Sequence, residues 1–294
     1  PIPDAVKLFV RRAQQTAPGR AIAEESAVTL EAICRRLDGL PLAIELAAAR
    51  SPLLAPAQLL AHLRPVLPLL TEGPRDAPQR LQTMRDAIAW SYALLSAGEQ
   101  KAFRALAHFT GDFDLAAAGA VTGSDDEDAQ VGPGVPALER LTALADQSLL
   151  VRHDLAAGVR FSMLETIRAF GQEALAAAGE TDLVAARHAA CFTRLAEEHW
   201  LGGSVSRRDG VRTLEAEYPH LRQTLAWLLD AGHVEQAMHL AGRLAEFWLR
   251  LGNLTEGKAW LQRALAADIG PPSVARVNAL VGLNMLLWPH GAYE

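Results

Sequence analysis

The chain has 294 residues, half of them apolar, and a formal net charge of −6. This length exceeds one typical domain and predicts two or three, and the apolar content excludes a disordered polar chain. The arginine pairs are scattered along the sequence, so it lacks the basic stripe expected of a nucleic-acid-binding protein. The two cysteines lie far apart in helical patterns, which indicates free buried thiols in a reducing compartment.

No segment has the pattern of a signal peptide or a membrane span. The most apolar stretch, LLAPAQLLAHLRPVLPLL, is interrupted by His62, Arg64 and three prolines. We therefore expect a cytoplasmic protein. The chain begins with Pro1 and stops at PHGAYE, which has the pattern of a turn leading into another helix. These ends predict a piece of a longer protein.

Residues 1–75 are predicted to form a group of short helices. Apolar residues recur at helical spacing in 4–16, in 30–37 and in 42–49, and a further short helix is predicted in SPLLAPAQLLAHL. The segment RRLDGLPLAIELAAAR, residues 35–50, ends one helix and starts the next almost at once. Gly39 suits the position just after a helix. Pro41 suits the first helical position, where its missing N–H costs nothing.

Residues 76–178 are predicted to form a winged-helix domain, separated from the first region by the linker TEGPRDAPQR. A helix over 79–95 is followed by Ser96 and Glu99, which fit a capping box that starts the next helix. Further helices are predicted in DFDLAAAGAV and ALERLTALADQ, on either side of the loop GSDDEDAQVGPGVP. A β-hairpin is predicted from SLLVRH, a DLAAG turn and VRFSML, and the helix ETIRAFGQEALAAAG follows it.

Residues 179–294 are predicted to form helical hairpins with glycine-containing turns. The segment LGNLTEGKAWLQRALAADIGPP matches the latter half of a tetratricopeptide pattern. The matching positions are Trp248, just before this segment, and Leu251, Gly252, Gly257, Ala264 and Pro271 within it. The spacing between successive turns is irregular, so the repeats are not uniform. The fold class predicted for the whole chain is mainly α, ending in an α-solenoid.

The motifs of a self-contained active site are missing from the sequence. It contains no G-x-x-x-x-G-K-[ST], no H-E-x-x-H and no G-x-S-x-G. The histidines occur singly, and His233 and His239 are six apart, which does not align two ligands on one helix face. Asp125–Asp128 lack the alternating spacing of a calcium loop and indicate a solvated loop. We therefore predict no catalytic residue and no metal site in this chain.

The order of the segments is more informative than any single motif. ICRRLDGLPLAIELAAAR, then the three-helix segment from LQTMRDAIAW to DLAAAGAV, then SLLV…VRFSMLETIRAF, then helical repeats, resembles the C-terminal half of an NB-ARC-type module. Such modules belong to bacterial STAND-class signalling ATPases, and large LuxR-type transcriptional regulators are the most similar group. The resemblance covers roughly residues 4–265. It implies a helical lid subdomain in 1–75, a winged helix in 76–178 and a truncated repeat sensor in 179–294.

The resemblance also implies nucleotide contacts. Its Gly-Leu-Pro-Leu motif matches Gly39–Leu42 (Gly39, Leu40, Pro41 and Leu42), where the proline packs against the adenine of ADP or ATP. A rigid apolar ring without an N–H suits that contact, although a tight helix–helix corner explains the same residues. The family's Met-His-Asp motif corresponds to Met163, Leu164 and Glu165, so leucine replaces the phosphate-contacting histidine. Glu165 is expected to cap the following helix, because an acidic side chain in the first turn interacts favourably with the positive end of the helix dipole.

The resemblance implies partners that lie outside this chain. These are an N-terminal nucleotide-binding domain with a P-loop and a magnesium ligand, and an effector domain. A protein or small-molecule signal is expected to act on the repeats, and the chain alone is expected to bind neither nucleotide tightly nor any membrane. Two alternatives remain open: a tetratricopeptide-like interaction scaffold and a winged-helix DNA-binding protein. The helix PALERLTALADQ disfavours the second, because it carries one arginine against Glu139 and Asp146.

Overall fold

The computed structural model describes residues 4–16, 27–37, 39–48, 50–51, 54–63, 84–123, 135–155, 158–199 and 207–287. These residues contain fifteen helices and one two-stranded antiparallel sheet. The prediction of a mainly α fold is therefore confirmed. The predicted linker 71–80, the acidic residues 125–128 and the terminal segment 288–294 lie outside the described residues.

The contacts divide the chain into two compact units. The first contains Pro1–His108 and Ser124–Thr181, and the second contains Phe109–Gly123 and Asp182–Glu294. The segment 109–123, predicted as part of the winged helix, thus packs with the C-terminal helices. The boundaries at 75/76 and 178/179 stay predictions.

The first unit begins with four helices that pack their apolar residues together. They are α1 Asp4–Thr16, α2 Ala27–Arg36, α3 Pro41–Ala48 and α4 Pro56–His62. The predicted apolar face of α1 is buried at Val6, Phe9 and Ala13. Ile33 and Leu37 of the next segment are fully buried, as is Ile44 of α3. The burial follows from the three- and four-residue spacing, which places these side chains on one side of each helix.

The rest of the first unit contains four helices and the hairpin. They are α5 Met84–Ala93, α6 Ala97–Leu106, α8 Val135–Asp146, β1 Val151–Leu155, β2 Gly158–Ser162 and α9 Glu165–Ala177. The rings of Tyr92, Phe103 and Phe170 meet with centroids 5.3 to 6.3 Å apart. This aromatic cluster joins α5, α6 and α9, which are distant in sequence.

The predicted hairpin exists, but its strands and turn were placed incorrectly. β1 starts at Val151 and continues through Leu155, where the prediction already placed the turn. Leu155 pairs with Gly158, so the connection is shorter than the predicted DLAAG turn. Cross-strand pairing extended the strand through Asp154 and Leu155 against their weak sequence signal. The loop predicted to run through Pro136 also ends earlier, because α8 begins at Val135.

The second unit consists of helices in the part of the chain that the structure describes. They are α7 Leu115–Thr122, α10 Thr181–Glu198, α11 Arg207–Ala216, α12 Tyr218–Asp230, α13 Val234–Leu251, α14 Leu254–Ala267 and α15 Val274–Leu287. The predicted turn at Gly252 has a φ of 74°. Its N–H donates to the Leu249 carbonyl, and the Asn253 N–H donates to the Trp248 carbonyl 3.0 Å away. This left-handed helix end is the one that glycine favours.

Candidate functional site

The corner between α2 and α3 is built by backbone hydrogen bonds. Gly39 adopts a φ of 67°, as predicted for a residue that ends a helix, and its N–H donates to the Cys34 carbonyl at 2.9 Å. One residue later, the Leu40 carbonyl accepts the first hydrogen bond of α3 from Ile44, also at 2.9 Å. Pro41 is the first residue of α3, the predicted position. The chain therefore restarts a helix after the four residues that separate Arg36 from Pro41.

The corner is exposed to solvent at two residues of the motif that is predicted to contact the nucleotide. Gly39 and Pro41 are exposed and Leu40 is half-buried. A Cβ atom added at Gly39 would meet no atom within 4 Å. The side chain of Leu42 lies outside the described residues. Pro41 is thus not sealed inside its own helical bundle, so its apolar ring is available to a ligand or to another part of the protein.

A cleft of about 230 Å³ lies beside Gly39, between α1 and α2. Its walls combine apolar and charged groups, and the residues are Ala5, Val6, Glu31, Cys34, Arg35 and Gly39. Drug-sized ligands occupy pockets of roughly 300 to 1,000 Å³. A cleft of this size fits part of a nucleotide, such as its base, and the rest would extend outside it.

Cys34 is a buried free thiol at the wall of this cleft. Burial, and to a smaller extent the nearby Glu31 carboxylate, raise the pKa of Cys34 to about 11. Both effects disfavour the thiolate, because a negative charge there would be desolvated and would face another negative charge. Cys34 is therefore a protonated packing residue at neutral pH. Cys191 is also free, but it is half-buried rather than buried as predicted.

The second predicted site, Met163–Glu165, lies where β2 leads into α9. All three side chains are half-buried. Leu164 is the N-cap residue and makes no side-chain capping bond. Glu165 is the first helical residue rather than the N-cap, so the expected acid in the first turn is present, and its side chain binds Arg168, 2.5 Å away. Its charge still lies at the positive end of the helix dipole.

The two predicted sites differ in their fit to an adenine nucleotide. Pro41 and the small cleft offer apolar surface for a base. Leu164 offers only an aliphatic side chain where the family motif has a histidine that donates to phosphate. At these two sites, the described side chains therefore fit a base better than phosphates. The two sites lie on different elements of the first unit.

Other functional classes find less support among the described residues. No group of three or more His, Cys, Asp or Glu residues there could hold a metal ion. No helix among them is long and apolar enough to cross a bilayer. On α8, Glu139 and Asp146 are exposed, while Arg140 is half-buried. This surface would repel rather than neutralise DNA phosphates.

The chain is similar to mycobacterial proteins along nearly its whole length. It is 41% identical over 287 residues to a Mycobacterium tuberculosis protein named "Putative HTH-type transcriptional regulator Rv0890c". A Mycobacterium bovis protein, Mb0914c, carries the same descriptive name and shows the same identity. A Mycobacterium tuberculosis protein named "Uncharacterized protein Rv0894" is 40% identical over 185 residues, which are 63% of this chain and 46% of that protein.

The first two alignments cover 96% of this chain but 32% of the relative. The chain thus spans about a third of the length of these curated relatives. No family model matches the chain. No solved structure matches it either.

Sequence reasoning missed most of the residues that surround the corner. Glu31 and Arg35 line the cleft and lie four residues apart on one face of α2. That spacing was the only signal available for them, and it also describes an ordinary solvated helix face. Ala5 and Val6 come from a helix that is more than twenty residues away in sequence. No short motif links the two helices.

Proposed function

We propose that this chain is the regulatory and relay portion of a STAND-class, ATP/ADP-dependent signalling switch in a cytoplasmic transcriptional regulator. The observation that carries the proposal is the exposed Pro41, two residues after Gly39, which lines an open cleft. The similarity to proteins named as HTH-type transcriptional regulators supports the regulatory context. In this proposal the chain is not itself an enzyme.

Pro41 and the cleft would form one side of an adenine site. The proline ring is rigid and has no N–H, so it can lie against a purine without leaving a donor unsatisfied. The cleft adds the apolar residues Ala5 and Val6. Glu31 and Arg35 supply polar atoms at its edge, where the base carries its own donors and acceptors.

The phosphates and magnesium would be bound elsewhere in the full-length protein. The sequence contains no P-loop motif, and the side chain of Leu164 has no donor for a phosphate. A separate nucleotide-binding domain would therefore supply the phosphate-binding backbone and the magnesium ligand. Since those contacts provide much of the affinity, we expect this chain alone to bind ATP more weakly than micromolar. Calorimetry on the isolated chain tests this expectation.

The switch would work as a shift between two populated states. With ADP bound, the lid and winged helix close over the nucleotide and hold the inactive form. A signal that binds better to the open form shifts the population toward exchange for ATP and assembly. The C-terminal helices would receive that signal, and the effector domain would respond to it.

The decisive experiment is ADP binding to the full-length protein with and without Pro41→Ala. Loss of the ring removes apolar contact of about 1 to 2 kcal/mol, so the dissociation constant of ADP should rise roughly five- to thirtyfold. Pro219→Ala is the matched control, because Pro219 is also exposed in the first turn of a helix. An unchanged affinity in Pro41→Ala, or no ADP binding by the unmodified protein, would overturn the proposal.

A tetratricopeptide-like interaction scaffold is the second candidate. A cavity of about 630 Å³ in the second unit favours it, because a concave surface among helical hairpins can bind a ligand. The exposed Pro41 favours the switch instead. A full-length protein that binds a partner through the C-terminal helices with the same affinity in ADP and in ATP would support the scaffold.

A further inference from the structure

The second unit contains a groove that the sequence analysis did not predict. It has a volume of about 630 Å³ and is formed by residues of α10, α12, α13 and α15. This volume lies within the range of small-molecule sites. Alanines at Ala186, Ala189 and Ala190 form one wall on α10, and their small side chains leave space between the helices.

Part of the groove is lined by a pair of polar residues from two helices. Glu197 of α10 and His239 of α13 lie 2.8 Å apart, and both line the groove. Their side chains remain 48% and 30% exposed, so the carboxylate keeps oxygen atoms that a ligand can reach. A carboxylate held in position by a neighbouring histidine is a well-defined acceptor for a donor on the ligand.

An aromatic pair supplies a second, different surface. The rings of Trp227 and His233 lie 5.2 Å apart at 41°, and both residues line the same groove. The polar pair and the aromatic pair thus line one groove, so a single ligand can contact both.

The charges of the groove favour a cation over an anion. Glu197 and Glu235 contribute two carboxylates to its lining, and Arg194 contributes one guanidinium. Arg194 also lies 3.7 Å from the carboxylate of Glu198, which partly offsets its charge. A protonated amine would be attracted to Glu197 and to the face of Trp227. A carboxylate or phosphate would be repelled by both glutamates.

We propose that this groove binds a small amphipathic amine, with its flat apolar body against Trp227 and its ammonium group on Glu197. The amine donates to the carboxylate, and the alanine wall on α10 lets the flat body enter. A role of this ligand as the signal rests on the proposed switch. Binding itself does not, because it needs only residues of the second unit.

The test uses tryptamine, which combines an indole with a protonated amine, and two matched compounds. Indole-3-acetate has the same ring with a negative charge, and 3-methylindole has the ring with no charge. Calorimetry with the full-length protein, without nucleotide, should give a dissociation constant of about 0.1 to 1 mM for tryptamine, in line with a ligand of this size. Indole-3-acetate should bind at least about tenfold more weakly, since one favourable charge contact is replaced by a repulsive one.

Two variants locate the site. Glu197→Gln should weaken tryptamine binding by about five- to tenfold, because it removes the charge of the acceptor. Ala190→Leu should abolish saturable binding by filling the groove. It should preserve folding, because Ala190 is exposed and leucine is also a good helix former. Glu246→Gln is the control, since Glu246 pairs with Arg250 on α13 and does not line the groove.

Equal affinity for tryptamine and indole-3-acetate would overturn the proposed charge recognition. Unchanged tryptamine binding in Ala190→Leu would overturn the proposed location. These measurements contain no adenine nucleotide, so their outcome is independent of the ADP experiment on Pro41.

Discussion

Gly257 of α14 packs directly against the indole ring of Trp248 of α13. A Cβ atom at Gly257 would lie 2.7 Å from the Trp248 ring and 2.8 Å from Leu286 of α15. Trp248 is fully buried, and its Nε1–H donates to the Tyr218 hydroxyl at 2.7 Å. A residue without a side chain thus allows three helices to meet at one ring.

Gly257→Ala should destabilise the second unit by about 1 to 3 kcal/mol, because the added methyl overpacks a rigid ring. The change is measured as a lower denaturant midpoint, followed by tryptophan fluorescence. Gly98→Ala is the matched control: it is helical, and its added Cβ would meet no atom nearer than 4.0 Å. There we expect a gain of about 0.4 to 1 kcal/mol. Equal effects at the two glycines would contradict the packing argument.

The features that the sequence predicted correctly are those set by neighbouring residues. Gly39 and Gly252 adopt the left-handed conformation, and Ser96 and Glu99 form the capping box. Each of these depends on four to six consecutive residues, so a local pattern contains the information. The same reasoning placed Pro41 at the start of its helix.

The features that the sequence analysis missed depend on contacts between segments that are distant in sequence. Strand β1 ends at Leu155, which pairs with Gly158. This register depends on the pairing between the two strands and not on the sequence of one strand alone. The groove brings Glu197 to His239 across 42 positions of sequence. No periodicity or motif in either helix indicates that these two residues meet, so the groove could not be predicted from the sequence alone.

Ser96→Ala should destabilise the first unit by about 1 kcal/mol. The Ser96 N–H donates to the Glu99 carboxylate at 2.7 Å, and the Glu99 N–H donates to the Ser96 hydroxyl at 3.4 Å. Alanine removes the second bond and leaves a helix N–H without its cap. Ser96→Asn keeps both an acceptor and a donor for Glu99 and should change stability by only a few tenths of a kcal/mol. The comparison is made by chemical denaturation, and equal losses in both variants would argue against a capping role.

Alkylation of Cys34 should be slow in the folded protein and should accelerate with pH. Only the thiolate reacts, and its pKa is raised from 9.0 to about 11 by burial and by Glu31. At pH 8 the thiolate fraction is therefore about 100-fold lower than in the unfolded chain, and the rate should rise as the pH approaches 11. Iodoacetamide labelling of the Cys191→Ser variant isolates Cys34. Equal rates for folded and denatured protein would refute the prediction.

Arg104→Lys should destabilise the first unit although it keeps the charge. The Arg104 guanidinium donates two hydrogen bonds to Glu180, at 2.9 and 2.8 Å, and a third to the Tyr92 hydroxyl at 2.9 Å. The hydrogen bond to Glu180 raises the pKa of Arg104 above its ordinary value. Lysine cannot reproduce this planar arrangement, so we expect a loss of about 1 to 2 kcal/mol for a pair that is largely buried.

A second ion pair in the same unit provides the control for Arg104. Arg85 binds Glu173 between α5 and α9, but both side chains are about half exposed. Solvent screens this pair, so Arg85→Lys should change the unfolding free energy by less than about 0.5 kcal/mol. Chemical denaturation of Arg85→Lys and Arg104→Lys, in low and in high salt, measures how strongly each ion pair depends on salt. Because water reaches the Arg85 pair freely, salt should weaken that pair more than the three-bond contact of Arg104, and the opposite order would contradict the assignment.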